Sequence, residues 1–186
     1  MDKADLRKQA FAARKAAHAA GHGAAATAAL LAEIGPVNGA IIAGYMPIRT
    51  EIDPVPAMAA LSQANQICVP VIADAGAPLA FHAWRPDCEM VDGPFGARIP
   101  AETTPVTPEI LIVPLVAFDR RGARLGYGGG FYDRTLETLR AGGAVRAIGF
   151  AYSAQELPAL PQEPTDQPLD AIVTEQGTLA RTRTSA

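Results

Sequence analysis

The feature that most constrains the fold is an apolar run that leads into a glycine-rich loop and then into a helix-like segment. Residues 110–117 read Ile-Leu-Ile-Val-Pro-Leu-Val-Ala, four of residues 126–130 are glycine, and Asp133–Arg140 has a helical pattern. A short continuous apolar run is typical of a strand that is buried on both faces of a sheet. A strand followed by a loop and a helix is the repeating unit of parallel sheets. The segment therefore favours an α/β fold.

The rest of the chain alternates between helix-like and strand-like segments in the same way. Apolar spacing and the residues at segment ends predict four helices, which are Asp2 to Gly21, Ala24–Ile34, Pro54–Asn65 and Asp133–Arg140. Short apolar runs predict six strands, which are Ala40–Met46, Ile67–Ile72, Leu79–Trp84, Glu109–Phe118, Ala147–Ala151 and Ala171–Thr174. This alternation implies an α/β fold, a three-layer αβα sandwich with a mainly parallel sheet, formed by one domain over residues 1–175.

Two segments lack a periodic pattern. Arg85–Pro108 contains five prolines, which predicts a long ordered loop. Loops of this length within a compact domain often have a function. The last residues, Gln176–Ala186, are polar, which predicts a frayed C-terminal tail.

Composition excludes several classes of protein. The net charge of −3 argues against a general nucleic-acid binder, which would carry a basic surface. No apolar run approaches the ~18 residues of a membrane span, and the N-terminus has no signal-peptide pattern. Cys68 and Cys88 lie far apart in sequence and could pair, but two cysteines do not indicate a disulfide framework, and a reduced chain is the simpler interpretation. We therefore expect a cytoplasmic protein that binds neither nucleic acid nor membrane, and we expect a monomer.

The glycine-rich loop itself indicates a phosphate site. Backbone N–H groups of such a loop, placed before a helix, can point at an anion. Arg121 and Arg124 add positive charge, and Asp133 can hold a cation between phosphate oxygens. The loop is not a Walker A sequence, and Phe131 occupies the third glycine position of a dinucleotide fingerprint. The glycines alone are equally typical of a tight turn, so the neighbouring residues carry the prediction of a nucleotide-phosphate site.

Five separated segments of the chain, in the same order, resemble those of one family. They are Lys3-Ala-Asp-Leu-Arg7 followed by Arg14, Tyr45–Glu51, Trp84–Pro86 with Gly93–Pro100, Arg124–Asp133, and Pro168–Glu175. The family is that of the 5-formyltetrahydrofolate cyclo-ligases, also called 5,10-methenyltetrahydrofolate synthetases. The resemblance covers nearly the whole chain, and the segment from Arg124 to Asp133 is the most specific part of it.

The resemblance implies an ATP-dependent ligase of one-carbon metabolism that requires Mg²⁺. In the reaction that it implies, the formyl oxygen of 5-formyltetrahydrofolate takes the γ-phosphoryl group of ATP. Folate N10 then attacks the activated carbon, which gives 5,10-methenyltetrahydrofolate, ADP and phosphate. Such a reaction requires positioning and charge stabilisation rather than a nucleophilic side chain, so we assign no catalytic residue.

The resemblance also assigns roles to residues of this chain. The implied ATP-binding residues are Lys3, Arg7, Arg124, Gly126, Tyr127, Gly128, Gly129, Gly130, Phe131 and Tyr132. The implied folate-binding residues are Met46, Glu51, Tyr127, Gly128, Gly129, Gly130 and Phe131. The implied Mg²⁺ ligands are Asp133 and Asp170, since Mg²⁺ commonly takes one or two carboxylates with phosphates and water.

Several of these residues have a purely structural alternative. Lys3 is equally typical of a solvated surface residue. Asp133 is also favourable as a negative charge at a helix N-terminus, and Asp170 is also typical of a turn residue at a strand edge. Glu51 has the alternative of capping the helix that begins near Pro54. Core packing or loop anchoring is the alternative for the apolar and aromatic residues Met46, Trp84, Tyr127 and Phe131.

The chain departs from the family pattern at two positions of the loop. Gly129 stands where many members have lysine, and Phe131 replaces a frequent tyrosine. Backbone N–H groups and nearby arginines must then carry more of the phosphate binding. A folate- or nucleotide-binding module without turnover is therefore an alternative function. A third hypothesis, a sugar-phosphate or CoA-transferase-like enzyme on a similar sheet, has no motif of its own here.

Overall fold

The computed structural model describes residues 2–180 of the chain. This part forms four α-helices, which are α1 Lys3–Ala20, α2 Gly23–Ile34, α3 Val55–Leu61 and α4 Phe131–Gly142. Its strands are β1 Ile41–Ala43, β2 Gln66–Val71, β3 Ala80–Trp84, β4 Met90–Asp92, β5 Arg98–Pro100, β6 Ile110–Pro114, β7 Ala117–Phe118, β8 Arg124–Leu125, β9 Arg146–Phe150, β10 Ala171–Thr174 and β11 Gly177–Ala180. Over residues 2–180, no helix combines the length and the apolar character that crossing a membrane requires.

Seven of these strands form one central sheet in the order β11-β10-β9-β6-β1-β2-β3. The five inner strands run parallel to one another, and the two edge strands, β3 and β11, pair antiparallel with their neighbours. The parallel strands are largely buried, as expected for strands with helices on both faces. The predicted α/β fold with a mainly parallel sheet is confirmed.

Two apolar cores lie on opposite faces of this sheet. On one face, Leu30 of α2 and Met58 of α3 pack against β1, β2, β6 and β9. On the other face, Leu136 of α4 packs against alternate residues of the same strands. Helix α1 packs through Leu6 and Ala10 onto β7 and β8, which form a separate small sheet. The two covered faces make the three layers that the sequence predicted.

The predicted long strand Glu109–Phe118 divides into two strands. β6 ends at Pro114 within the central sheet, and β7 leaves it to pair with β8. The backbone N–H of Val116 donates to the carbonyl of Leu125 rather than to a strand of the central sheet. The apolar run is continuous because both sheets bury it, so the sequence pattern does not reveal the break.

Two predictions about irregular segments are wrong. Within Arg85–Pro108, β4 and β5 form an antiparallel hairpin around a 3-10 turn at Pro94–Gly96, so this segment is not simply a loop. Gly177–Ala180 forms the edge strand β11 and is not frayed. Edge strands exposed on one side tolerate polar residues, which explains the missing apolar signal. The rest of the predicted tail, residues 181–186, lies outside the described residues.

Helix α4 begins two residues earlier than the sequence predicted. Gly130 caps it in the left-handed conformation with φ of 66°, and Asp133 lies in its first turn. Glycine adopts this conformation without the strain that a Cβ would add. The glycine loop therefore runs directly into the N-terminus of α4.

Candidate active site

A cleft lies at the carboxyl ends of the parallel strands β1, β2 and β6, where ligands bind in sheets of this type. Its walls come from α1, the segment after β1, the β4–β5 hairpin, the glycine loop with the start of α4, and residues 163–166. The volume is about 1,210 Å³. Sites for one small molecule usually have ~300–1,000 Å³, so this cleft has space for two substrates side by side.

The segment after β1 forms one wall and presents Glu51. The side chain of Met58 packs where a Cβ of Gly44 would stand, so only glycine lets α3 approach the end of β1 this closely. The Tyr45 hydroxyl donates to the carbonyl of Ile52 at 2.6 Å and closes the segment into a compact loop. The N–H of Ile48 donates to Glu51 Oε2 at 2.9 Å. These bonds fix the position of the Glu51 carboxylate.

Glu51 is buried, with 5% of its surface exposed. Burial raises the pKa of this carboxyl above the ordinary value of 4.5, against the opposing effects of the Ile48 N–H, the Tyr127 hydroxyl and the nearby Arg14. The first N–H of α3, that of Val55, is satisfied by Asp53 Oδ1 rather than by Glu51. The hydrogen bonds of Glu51 therefore do not support the helix-cap alternative.

Tyr127 of the glycine loop meets Glu51 across the cleft. Its hydroxyl lies 2.9 Å from Glu51 Oε1 and 2.7 Å from Nη1 of Arg14 on α1. Burial raises the pKa of Tyr127 to about 12, so its proton stays in place at neutral pH. Part of the ring remains exposed in the cleft. Tyr127 can therefore anchor the glycine loop through its hydroxyl and still contact a ligand through its ring.

Helix α1 brings basic residues to the same cleft. Arg7 Nε donates to the carbonyl of Gly126 at 2.9 Å, and its guanidinium lies beside Gly128. Lys3 Nζ lies 2.6 Å from Glu163 Oε1 in a partly exposed ion pair. Such a pair contributes little to stability, so the Lys3 ammonium is available to a stronger anion. Both residues line the cleft.

Two positions of the glycine loop require glycine, and a third is crowded by a side chain. Gly128 and Gly130 have φ of 104° and 66°, where a Cβ would be strained. At Gly129 a Cβ would stand 2.9 Å from two ring carbons of Phe131. That ring also contacts the Arg134 guanidinium, whose Nη2 donates to the Gly129 carbonyl at 2.9 Å. The lysine that is frequent at position 129 would therefore require the Phe131 ring to move.

The start of α4 joins the loop to a partly buried ion pair. Arg124 Nη2 lies 2.5 Å from Asp133 Oδ1, which also accepts the N–H of Gln167 at 2.8 Å. The other oxygen, Oδ2, accepts no hydrogen bond from the residues that the structure describes. Two further buried polar atoms of this wall, Arg124 Nε and Tyr132 Oη, have no partner in this part of the chain. These groups can serve a ligand.

Asp170, the second predicted metal ligand, lies at the opposite end of the sheet. It precedes β10, and its Oδ2 accepts the N–H of Ala147 at 2.7 Å at the start of β9. Arg140 Nη2 lies 3.4 Å from the same oxygen. Asp170 does not line the cleft. The structure does not bring it together with Asp133, and its contacts fit the structural alternative of a residue at a strand edge.

The structure also locates the residues whose role the sequence left open. Met46 lines the cleft and packs partly against the core, so its position is compatible with a folate contact and with core packing. Trp84 is a core residue that lies outside the cleft lining. No cluster of three or more metal-ligating side chains occurs among residues 2–180.

The sequence analysis assigned no role to three residues that the structure places at this site. Phe95, at the tip of the β4–β5 hairpin, is 74% exposed and lines the cleft, and its φ of 59° is unusual for a bulky residue. The adjacent glycine in the Phe95-Gly96 pair was the available sequence signal for a turn. Asp166 lines the cleft, and Arg14 lies behind Tyr127. Arg14 belongs to the first segment that resembles the family, but no local pattern indicates its contact with Tyr127 or reveals Asp166, because tertiary contacts alone bring both residues to the site.

Comparisons with known proteins agree with the resemblance seen in the sequence. The model of the 5-formyltetrahydrofolate cyclo-ligase family matches residues 1–175. The 5-formyltetrahydrofolate cyclo-ligase of Escherichia coli (strain K12) is 36% identical over 140 residues, which cover 72% of this chain and 76% of that protein. The cyclo-ligase of Mycolicibacterium smegmatis is 31% identical over 149 residues, with coverages of 74% and 75%.

A solved structure extends the similarity to the whole fold. The NMR structure of Aquifex aeolicus 5,10-methenyltetrahydrofolate synthetase is similar with a TM-score of 0.79 at 27% identity. The similarity covers 100% of this chain and 96% of that one. The family predicted from five sequence segments is therefore confirmed.

Proposed function

The chain belongs to the 5-formyltetrahydrofolate cyclo-ligase family and is a ligase, and on this premise we propose that it converts 5-formyltetrahydrofolate and ATP to 5,10-methenyltetrahydrofolate, ADP and phosphate. One observation carries the proposal. A single cleft is lined by a glycine loop at a helix N-terminus with basic residues beside it, and by the buried carboxylate of Glu51. The first group suits phosphate and forms the phosphate end of the proposed site, and the carboxylate suits the N–H groups of a pterin and forms its folate end.

The phosphate end offers several kinds of positive groups. The first-turn N–H groups of α4 have no partner within the helix, and the helix dipole favours negative charge at this terminus. Lys3 and Arg7 add charge from α1, and Arg124 adds it from β8. Together they would hold the γ-phosphoryl group next to the formyl oxygen and stabilise the charge that develops during transfer.

The folate end offers acceptors and apolar surface. The carboxylate of Glu51 has lone pairs beyond the two that accept from Ile48 and Tyr127, and it would accept pterin N–H groups. Met46, Phe131 and the exposed part of the Tyr127 ring supply flat or flexible apolar surface beside it. N10 and the formyl carbon belong to one folate molecule, so ring closure is already intramolecular, and holding the two atoms in a fixed arrangement would lower the entropic cost of this step.

Mg²⁺ fits the site through one carboxylate. Asp133 has one oxygen engaged by Arg124 and Gln167, and the other, Oδ2, accepts no hydrogen bond within residues 2–180. One carboxylate with phosphates and water is a common set of ligands for Mg²⁺. Bound there, Mg²⁺ would supply charge neutralisation for the phosphate oxygens. We do not retain Asp170 in this role, because it lies at the other end of the sheet.

The remaining expectations also stay proposals. We propose that residues 1–175 form one catalytic domain, since the strands of one sheet come from the whole of this range. We also propose a cytoplasmic monomer, for which the two free thiols, Cys68 and Cys88, are compatible with a reducing compartment.

A coupled assay tests the proposal. Purified protein, 5-formyltetrahydrofolate, ATP and Mg²⁺ should give the methenyl chromophore and one ADP for each product formed. Omission of ATP or chelation of Mg²⁺ should abolish both signals. A folded protein that binds both substrates but releases neither ADP nor product would instead support the alternative of a binding module. Absence of binding to either substrate would contradict both functions.

A further inference from the structure

Arg14 is a buried cation without a carboxylate partner. Only 1% of its surface is exposed, and it forms no salt bridge with any residue in the described range 2–180. Burying a charge is costly unless hydrogen bonds and other attractions compensate for the lost water. Here the compensation comes from two rings, since the guanidinium carbon lies 5.1 Å from the Phe11 ring centre and 5.6 Å from that of Tyr127.

The hydrogen bonds of Arg14 fix which group donates and which accepts in the series Arg14, Tyr127 and Glu51. Nε donates to Thr50 Oγ1 at 3.1 Å, and Nη1 donates to Tyr127 Oη at 2.7 Å. A guanidinium has donors only, and a phenol has one proton. Tyr127 must therefore accept from Arg14 and give its single proton to Glu51 Oε1, which lies 2.9 Å away.

From this geometry we propose that Arg14 is a positioning residue that fixes the Tyr127 hydroxyl as a donor to Glu51 and so holds the Glu51 carboxylate ready for the folate. Arg14 does not line the cleft and touches no substrate there. Its bond to Thr50 ties α1 to the segment that carries Glu51. The inference rests on the proposed function, because it assumes that Glu51 binds the folate.

Loss of Arg14 should act on the folate end alone. With Arg14→Gln we expect the KM for 5-formyltetrahydrofolate to rise about tenfold, as when one charge-assisted hydrogen bond is lost. The KM for ATP should stay within about twofold, because the phosphate end retains Lys3 and Arg7. Arg14→Lys retains the charge without the planar fork, so it should restore part of the folate affinity.

A carboxyl NMR titration of Glu51 gives a readout that turnover does not affect. The charged or titratable groups around Glu51 are Arg14, Arg49, Tyr45, Tyr127 and Tyr132. Removing the positive charge disfavours the carboxylate, so the pKa of Glu51 should rise further in Arg14→Gln. Arg14→Lys should leave it close to that of the wild type.

Two further variants separate positioning from general stabilisation. Arg146→Gln is the matched control, because Arg146 pairs with Glu33 at the opposite end of the sheet; it should change thermal stability but neither KM nor the Glu51 titration. Tyr127→Phe removes the hydroxyl that links Arg14 to Glu51. Adding Arg14→Gln to this variant should therefore change the folate KM and the Glu51 pKa little further. Additive effects in the double variant, or an unchanged folate KM and Glu51 pKa in Arg14→Gln, would overturn the inference.

Failure of the proposed function is a distinct outcome. A wild-type protein without turnover would refute that function, and the Glu51 titrations of the wild type and variants would then decide the inference about Arg14. If Arg14→Gln does not fold, the comparison of Tyr127→Phe with the wild type takes its place. An unchanged Glu51 titration in Tyr127→Phe would then overturn the chain of hydrogen bonds.

Discussion

The two ends of the central sheet carry similar residues and use them differently. At the carboxyl end, Arg124 pairs with Asp133 beside the cleft, and one carboxylate oxygen of Asp133 accepts no hydrogen bond from the described residues. At the amino end, Arg140 lies near Asp170, whose Oδ2 also accepts the backbone N–H of Ala147. The first pair holds a group that can still bind a ligand, and the second closes the start of two strands.

This difference shows why residue type alone does not identify a site. Both aspartates were candidate metal ligands, and both have an arginine neighbour. In a parallel sheet the loops that follow the strands meet at the carboxyl ends of the strands and leave a crevice for a ligand. Around Asp170, at the amino ends, the polar groups bond to one another instead. Position relative to strand direction therefore separates the carboxylate that we propose for metal binding from the one with structural contacts.

The largest expected effect distinguishes these two carboxylates directly. Asp133→Asn should lower kcat/KM at least about 100-fold and weaken its dependence on Mg²⁺, because it removes the carboxylate that we propose to lie beside the transferred phosphoryl group. The amide also leaves the buried Arg124 without its counter-charge, so some loss of stability should accompany it.

Asp170→Asn is the matched control, with turnover and its Mg²⁺ dependence measured at equal protein folding. It should change kcat/KM by no more than about twofold. Equal losses in the two variants would refute the assignment of separate roles to the two ends.

The next effect concerns Glu51 and a glutamate of the opposite end. Glu51→Gln should raise the KM for 5-formyltetrahydrofolate by about tenfold or more with little change in the KM for ATP, because a neutral amide accepts pterin N–H groups less strongly. Glu33→Gln, which removes the partner of Arg146 far from the cleft, should leave both KM values unchanged. A rise in the KM for ATP alone would contradict the folate role of Glu51.

The pH dependence should report the burial of Glu51. Since burial raises the pKa of Glu51 above 4.5, folate affinity should fall on acidification at a higher pH than an ordinary glutamate would give. This fall in folate affinity should be absent from Glu51→Gln. The free energy of unfolding depends on pH in the opposite direction, because burial favours the neutral form of Glu51. Its contribution to stability is fully present below pH 4.5 and is lost as the pH rises through the raised pKa. Folate binding measured from neutral to acidic pH, in the wild type and in Glu51→Gln, tests this fall in affinity.

The smallest effects compare glycines at the two ends of α4. Gly128→Ala forces a Cβ onto a φ of 104° beside the Arg7 guanidinium, so it should destabilise the protein by about 1–2 kcal/mol and lower turnover. Gly142→Ala, at the far end of α4, meets no atom within 4 Å and has no positive φ. It should stabilise the protein by about 0.5 kcal/mol without a change in turnover. Denaturant unfolding measures both, and equal effects would contradict the special conformation of the loop.

Much of the fold was accessible from the sequence because strands and helices bury apolar residues with characteristic periods. Ala171–Thr174 was predicted with the bounds that the structure shows. The errors have a common physical cause, since β4, β5 and β11 gain much of their stability from cross-strand pairing that the local sequence does not record. The break between β6 and β7 escaped detection because both strands are buried.

The sequence by itself determined the family, the α/β class and the glycine loop, since these depend on local composition and on the order of short motifs. Only the tertiary structure decided which charged residues meet. It placed Glu51, Tyr127 and Arg14 in one chain of hydrogen bonds, although up to 113 positions separate them. It also sent Asp170 to the opposite end of the sheet from Asp133. The physical reason is that strand direction and helix packing bring distant segments together, whereas a sequence motif specifies only its own neighbours.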